Sequence, residues 1–233
     1  MAEGDDLARL LVAAADRVGG FADGDVLVVP QKVVSKAEGR VVALGEVDPS
    51  PLAREIAGSD RDPRLVELVL RETERIVRRR GSLVIAETRH GFVCASAGVD
   101  ASNAPEPGAL VLLPLDPDAS AAGLRAAIRD RARREIGVVV SDSFGRPWRQ
   151  GTTDVAIGAA GITVLRDLSG VRDAAGYELH ATVIAVADEI AGAAELVLGK
   201  TDGIAGAIVR GLDVAGEGRA RDVVMPAERD LFR

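Results

Sequence analysis

Apolar residues between Asp5 and Val18 recur at helical spacing, through Leu7, Leu10, Leu11, Ala14 and Val18, and the pattern stops at Gly19 and Gly20. The spacing predicts an amphipathic helix closed by glycine. The continuous run Val26 to Val29 predicts a buried strand, followed by a polar loop, QKVVSKAEGR, at Gln31 to Arg40. DPRLVELVLRETERIVRRRG, Asp62 to Gly81, reads as one helix with Pro63 in its first turn. Leu65, Leu68, Val69, Glu72 and Ile76 form its mostly apolar face. Its Arg75, Arg78, Arg79, Arg80 end reads as a solvated surface beside the helix C-terminus, where cations are favoured, or alternatively as an anion site.

Two strands, Leu83 to Ala86 and Phe92 to Ala95, flank a tight RHG turn. ALVLLPLDPD holds another short strand. SAAGLRAAIRDRARREIG predicts a helix with Ser120 as its N-cap. GVVVSD predicts a strand buried on both faces, GITVLRD a further strand, ELHATVIAVADEIAGAAELVLG a long helix, and GIAGAIVRGL a late strand. Helices and strands alternate without a repeat, which gives a mixed α/β (α+β) chain. Residues 1–212 make the main unit, as one body or two intertwined subdomains. Residues 213–233 make a polar tail, partly disordered or laid over the body.

Composition narrows the function. Aromatic residues are 3% of the 233, so Val, Leu, Ile and Ala must build the core. A formal net charge of −7 and a single Trp and Tyr argue against nucleic-acid binding. The lone cysteine, Cys94, cannot form an intrachain disulfide and reads as a small buried hydrophobe. With no apolar run near the ~18 residues of a membrane span and an acidic start, MAEGDDLARL, a cytoplasmic protein is expected.

Four polar segments follow apolar strands or helices: Gln31 to Arg40, Gly98 to Asn103, Ser141 to Asp154, and Gly199 to Gly203. All draw on Lys or Arg, Asp, hydroxyls and Gly. That inventory suits a phosphate held together with a hard divalent cation. GKT at Gly199 to Thr201 is not a phosphate-binding P-loop. The required first glycine is Ala194, and the tripeptide follows a helix C-terminus instead of opening a helix. Gly199 reads as a helix cap, a nucleotide contact, or both.

Asp100 and Asp142 each close an apolar strand, either as turn caps or, with Ser143, as ligands of magnesium or manganese. One Cys, with His90 and His180 at no ligand spacing, argues against zinc. No G-x-S-x-G elbow supports a serine nucleophile. His90 and His180 read as structural. Asp188 and Glu189 are adjacent and point to different sides of their helix; they read as solvent-facing or paired with Arg, or with one of them turned inward. Trp148 packs its loop down, and Arg146 and Arg149 beside it can hold an anionic substrate.

QKVVSKAEGR, GFVCASAGVDASN, SDSFGRPWRQGTTDVAIGAAG and VADEIAGAAELVLGK occur in this order and together resemble the coenzyme F420-0:L-glutamate ligase family over roughly Gly4 to Leu212. The resemblance implies the family's ligase fold, not a P-loop, in a free-standing homodimer lacking the nitroreductase-like domain of some relatives. It implies a GTP-dependent amide ligase that joins L-glutamate to a deazaflavin coenzyme precursor with Mg2+ or Mn2+, and possibly a monovalent cation. By resemblance, Asp100, Asp142 and Ser143 match metal positions, and Gln31, Lys36 and Asn103 match GTP contacts. Leu198, Gly199, Lys200, Thr201, Asp202, Gly203 and Ile204 match a further nucleotide-binding stretch.

Two departures accompany the resemblance. The chain starts just beyond a short strand and GLP-type turn that help bind nucleotide in relatives. Lys200 stands where relatives can carry an acidic or amide ligand of a second metal, and a protonated ammonium cannot ligate a cation. A ligase for another amino acid or acceptor, and a GTP-binding homologue of weak activity, are the alternative readings.

Overall fold

The computed structural model describes residues 1–231; Phe232 and Arg233, the last two residues of the expected tail, lie outside the described residues. The central sheet has four strands, β1 (Val26–Pro30), β7 (Gly137–Arg146), β8 (Arg149–Ala160) and β11 (Ala207–Val209), in the order β11-β1-β7-β8. β1 and β7 are parallel; β11 and β8 run antiparallel to their neighbours. Period-2 alternation divides the strand residues between two faces. Leu27, Val29, Val138 and Val140 face α1 (Leu7–Asp16) and α5 (Pro117–Ala132). Val26, Val28, Val139 and Ala156 face α6 (Val186–Leu198). Each fully buried Val or Ile contributes roughly 1.5–3 kcal/mol relative to exposure, so these two apolar layers are the main source of stability.

A second apolar cluster lies within residues 41–113. It joins α3 (Pro51–Ala57) and α4 (Pro63–Arg71) to a three-stranded antiparallel sheet of β3 (Thr73–Arg80), β4 (Leu83–Thr88) and β5 (Val93–Ala95). A ribbon of β2 (Val41–Ala43) and β6 (Ala109–Val111) leads into and out of it. The remaining pair, β9 (Arg166–Asp167) and β10 (Val183–Ile184), closes a surface excursion before α6.

Several sequence expectations are corrected. Gln31 to Ala37 is a helix, α2 (Gln31–Ala37), not a loop; its buried positions Gln31, Val34 and Ser35 fall one helical turn apart. The expected helix from Asp62 to Gly81 ends at Arg71. There the β-branched Thr73 donates its hydroxyl to Val69 O at 2.6 Å, and the chain turns into β3. Helix α5 is capped by Asp116, which accepts from Ala119 N, while Ser120 sits inside the helix. The long helix expected from Glu178 begins only at Val186. GITVLRD contributes only the two residues of β9 and a single bridge from Ile162 to Ala215.

The tail lies over the body. Asp118 accepts from Ala159 N and Ala220 N and pairs with Arg221, tying α5, β8 and the tail together. Gly158 is required at this junction, because a Cβ there would sit 2.1 Å from Pro117 O.

Candidate active site

Helix α2, which follows β1 directly, the loop at Asn103 to Pro105, the paired strands β7 and β8, and the end of α6 converge on a cleft of about 630 Å3. Pro30 ends β1 and Gln31 opens α2, so the strand points its last residues into the cleft. Gln31 is 1% exposed; its Oε1 accepts from Ser35 Oγ at 2.9 Å, while its Nε2 is buried with no hydrogen-bond partner. A buried amide donor left open beside a cleft is suited to a ligand acceptor. One turn along α2, Lys36 donates to Asn103 O at 2.9 Å. Burial, and then the charge of Lys32, hold the Lys36 ammonium below its ordinary pKa. Asn103 adopts φ +56° and donates from Nδ2 to Lys200 O at 3.4 Å, closing the cleft between two distant loops.

Acidic groups form the opposite wall. Asp142 lies on β7, and its carboxyl is pushed up to about 7, chiefly by burial and further by Asp154, against the opposing charges of Lys32 and Lys200. Asp154 is directly opposite Ser143 across the β7–β8 ladder. It is buried and accepts from Ser141 Oγ and Ser143 Oγ, both at 2.7 Å. Glu195, on α6, also lines the cleft; burial and then Asp154 raise its pKa. Asp100, an expected metal ligand, is not among the lining residues and lies beside the cleft, tied to Lys32, which does line it. Its Oδ2 accepts from Lys32 Nζ at 2.6 Å and from Ser102 Oγ, and its Oδ1 from Ser102 N. Lys32 therefore connects the two expected metal ligands, held by one and acting on the charge of the other.

Of the remaining expected residues, Gly199, Lys200, Gly203 and Ile204 line the cleft. Gly199 caps α6 with φ +56°, which accounts for the GKT without a P-loop. Leu198 is fully buried in the core on the α6 side and does not wall the cleft. Thr201 and Asp202 are exposed beside it, Thr201 Oγ1 lying 3.4 Å from Asp202 Oδ1. Arg146 and Arg149 are not among the lining residues. The segment expected as a loop is instead a long hairpin, and it carries both arginines away to its tip. Trp148, expected to pack that loop down, is 82% exposed there. Of Asp188 and Glu189, Asp188 is the one that turns inward, the less expected of the two readings, and accepts from Ala156 N at 2.9 Å. His180 is exposed, and His90 Nε2 lies 3.0 Å from Pro114 O, holding its turn.

Lys32, Asp154 and Glu195 were not foreseen. The alternation Ser141, Asp142, Ser143 across from Asp154 was the available signal for a polar hairpin. Lys32 and Glu195 reach the cleft through tertiary placement alone.

The donor set fits a divalent ion bound with substrate phosphates. Among the described residues no three His, Cys, Asp or Glu side chains form a metal-binding group. Magnesium is ordinarily held by one or two carboxylates plus substrate phosphates, not by an all-protein cage. Asp142, Asp154 and Glu195 bring carboxyls to the same cleft as the ammoniums of Lys32, Lys36 and Lys200, and Lys32 is already paired with Asp100.

A model of the family described as F420-0:Gamma-glutamyl ligase matches residues 1–211. The Coenzyme F420:L-glutamate ligase of Methanopyrus kandleri is 46% identical over 237 residues, covering 99% of this chain and 92% of that protein. The protein of the same name from Methanothermobacter thermautotrophicus is 42% identical, with 99% and 93% covered. That of Archaeoglobus fulgidus is 45% identical, with 99% and 91% covered.

Proposed function

The chain belongs to the F420-0:gamma-glutamyl ligase family, and from that premise we propose that it is a GTP-dependent ligase forming an amide between L-glutamate and the deazaflavin precursor coenzyme F420-0. The observation that carries the reading is the convergence of three carboxyls, Asp142, Asp154 and Glu195, and three ammoniums, Lys32, Lys36 and Lys200, on one cleft. A polyphosphate with a bound divalent ion matches both sets of groups at once.

Amide formation needs this arrangement. A carboxylate is a poor acyl electrophile. Its oxygen attacks the γ-phosphorus of GTP, the bond from that phosphorus to the β–γ bridging oxygen breaks, and GDP leaves. The glutamate amine, having lost its ammonium proton, then attacks the acyl carbon, and phosphate departs with the carbon–oxygen bonding pair. Asp142, with Asp154 beside it and Ser143 hydrogen-bonded to Asp154, would hold Mg2+ or Mn2+; Asp100 joins them once Lys32 turns to phosphate. The metal supplies charge neutralisation between the two anions. Lys36, Lys32 and Lys200 neutralise phosphate oxygens, Gln31 Nε2 and Asn103 orient the nucleotide, and the Gly199 to Ile204 segment covers it. Arg146 and Arg149 are assigned to the outer, anionic part of the acceptor.

Self-association as a homodimer belongs to the same proposal. It is supported by the outer edge of β11, which has no partner strand among the described residues, and by exposed Val18, Leu196 and Val197. No helix among the described residues is long and apolar enough to cross a membrane; cytoplasmic residence is proposed. The test is an assay with the glutamate-free coenzyme, GTP, L-glutamate and Mn2+. A product heavier by one glutamyl residue and one phosphate released per amide support the reading; neither product nor phosphate overturns it.

A further inference from the structure

A second cavity, about 560 Å3 in volume, opens on the far side of the β7–β8 hairpin rim. Its walls are Phe92, just before β5, and Val93 on β5, Phe144 and Val155 on the hairpin, and Val224 and Met225 of the tail. The size lies within the range of small-molecule sites. Its rim is apolar and open to solvent: Val93 is 39% and Met225 51% exposed.

The groove starts where the acid wall ends. Asp142 pairs with Val155 and Phe144 with Thr153 in a regular stretch of the ladder, so Asp142 and Phe144 point to one face, about 7 Å apart along the strand. β5 follows the same course. The charge of Asp142 acts on Cys94, and two residues away Phe92 meets Phe144 edge to face, ring centroids 6.3 Å apart. Aromatic faces and a methionine thioether favour a flat π-system. Asp188 contributes a carboxyl to the wall, with Oδ1 held by Ala156 N.

We propose that this groove seats the planar heteroaromatic ring of the acceptor, with the acceptor's acid arm running along β7 to Asp142, and that tail residues Val223 to Met225 form one side of the ring site. The proposal rests on the ligase reading for the identity of the acceptor and deepens it by giving the ring a site separate from the nucleotide cleft. It also gives the tail a role in binding.

The test uses the full chain and Met225→Glu, a rim substitution at a half-exposed side chain that leaves the core intact. Binding of a deazaflavin ring fragment lacking the acid arm is followed by NMR line broadening. GTP affinity in the presence of Mn2+, the KM for the complete acceptor and the sedimentation coefficient are measured alongside. The expected result is ring binding by the unaltered protein, weakened at least tenfold in M225E, a KM for acceptor raised by a similar factor, and unchanged GTP affinity. Val93→Glu should act in the same direction. Ring binding with no turnover would overturn the ligase reading while leaving the groove as a ring site. Turnover with an acceptor KM indifferent to both substitutions overturns the groove proposal alone. So does a change in sedimentation with ring binding untouched, because the groove would then belong to a second copy of the chain.

Discussion

Lys32 Nζ lies 2.6 Å from Asp100 Oδ2 and exerts its charge on Asp142 as well. One ammonium thus serves both aspartates that flank the candidate nucleotide cleft. Lys32→Met keeps the aliphatic stem and removes the charge. A charge-assisted hydrogen bond to phosphate is worth about 1.5–3 kcal/mol, so GTP affinity should fall about ten- to a hundredfold. Melting temperature should change little, because Ser102 still donates to Asp100. Fluorescent-nucleotide titration and thermal unfolding together check this.

Gln31 offers a second, uncharged probe. Its Nε2 has no partner among the described residues, so replacing the amide with an apolar group of similar size removes an unpaired buried donor at the cost of the one bond from Ser35 Oγ. Gln31→Leu should leave the melting temperature equal or slightly higher and weaken GTP binding about threefold or more. Unaltered nucleotide affinity would assign Gln31 to the fold alone.

Away from the cleft, Asp25 is 1% exposed and Arg210 pairs with it at 2.7 Å, pinning the segment after β11 to the start of β1. The Arg210 hydrogen bond holds the carboxyl below its ordinary 3.8, outweighing burial, with help from Ala22 N. A lowered carboxylate pKa stabilises the fold above the ordinary value, and that contribution is lost as pH falls through the folded value. Arg210→Ala should therefore destabilise the fold at pH 7, seen as a lower denaturant midpoint. The difference from the unaltered protein should narrow below pH 3.8, where Asp25 gains a proton in the variant. Denaturant unfolding at the two pH values measures the gap.

Cys94 should be inert. Burial, and then the Asp142 charge, push its thiol up to about 12. Only the thiolate reacts. Native protein at pH 8 should resist iodoacetamide and label fully once unfolded, and thiol reagents should leave turnover unaffected.

How far the sequence revealed this architecture depended on where the information resides. The buried strands at Val26 and Val138 and the helix at Leu7 announced themselves by local apolar pattern, as did the buried Cys94. The α2 helix was hidden because two of its three buried positions are the polar Gln31 and Ser35, hydrogen-bonded to one another one turn apart. The α4-to-β3 break was hidden because the Leu65 to Ile76 spacing continues past it. The strand forms through pairing with β4, and Glu72, read as part of a helical face, is drawn instead to Arg40 and Arg89. In the site, residues adjacent to strand ends were legible, since strand ends are where ligands gather. Asp154 was not, because its place beside Ser143 depends on the hairpin register, and Arg146 and Arg149 were drawn into the cleft only by reading that hairpin as a loop.

The central claim is that Asp142 and its neighbours bind nucleotide through a divalent ion. Calorimetric titration of GTP into the unaltered chain and into Asp142→Ala, each with and without Mn2+, tests it most directly. The account predicts tight binding only to the unaltered chain with Mn2+, and at least a tenfold loss when either the ion or the Asp142 carboxylate is removed. Equal GTP affinity in all four titrations would contradict it.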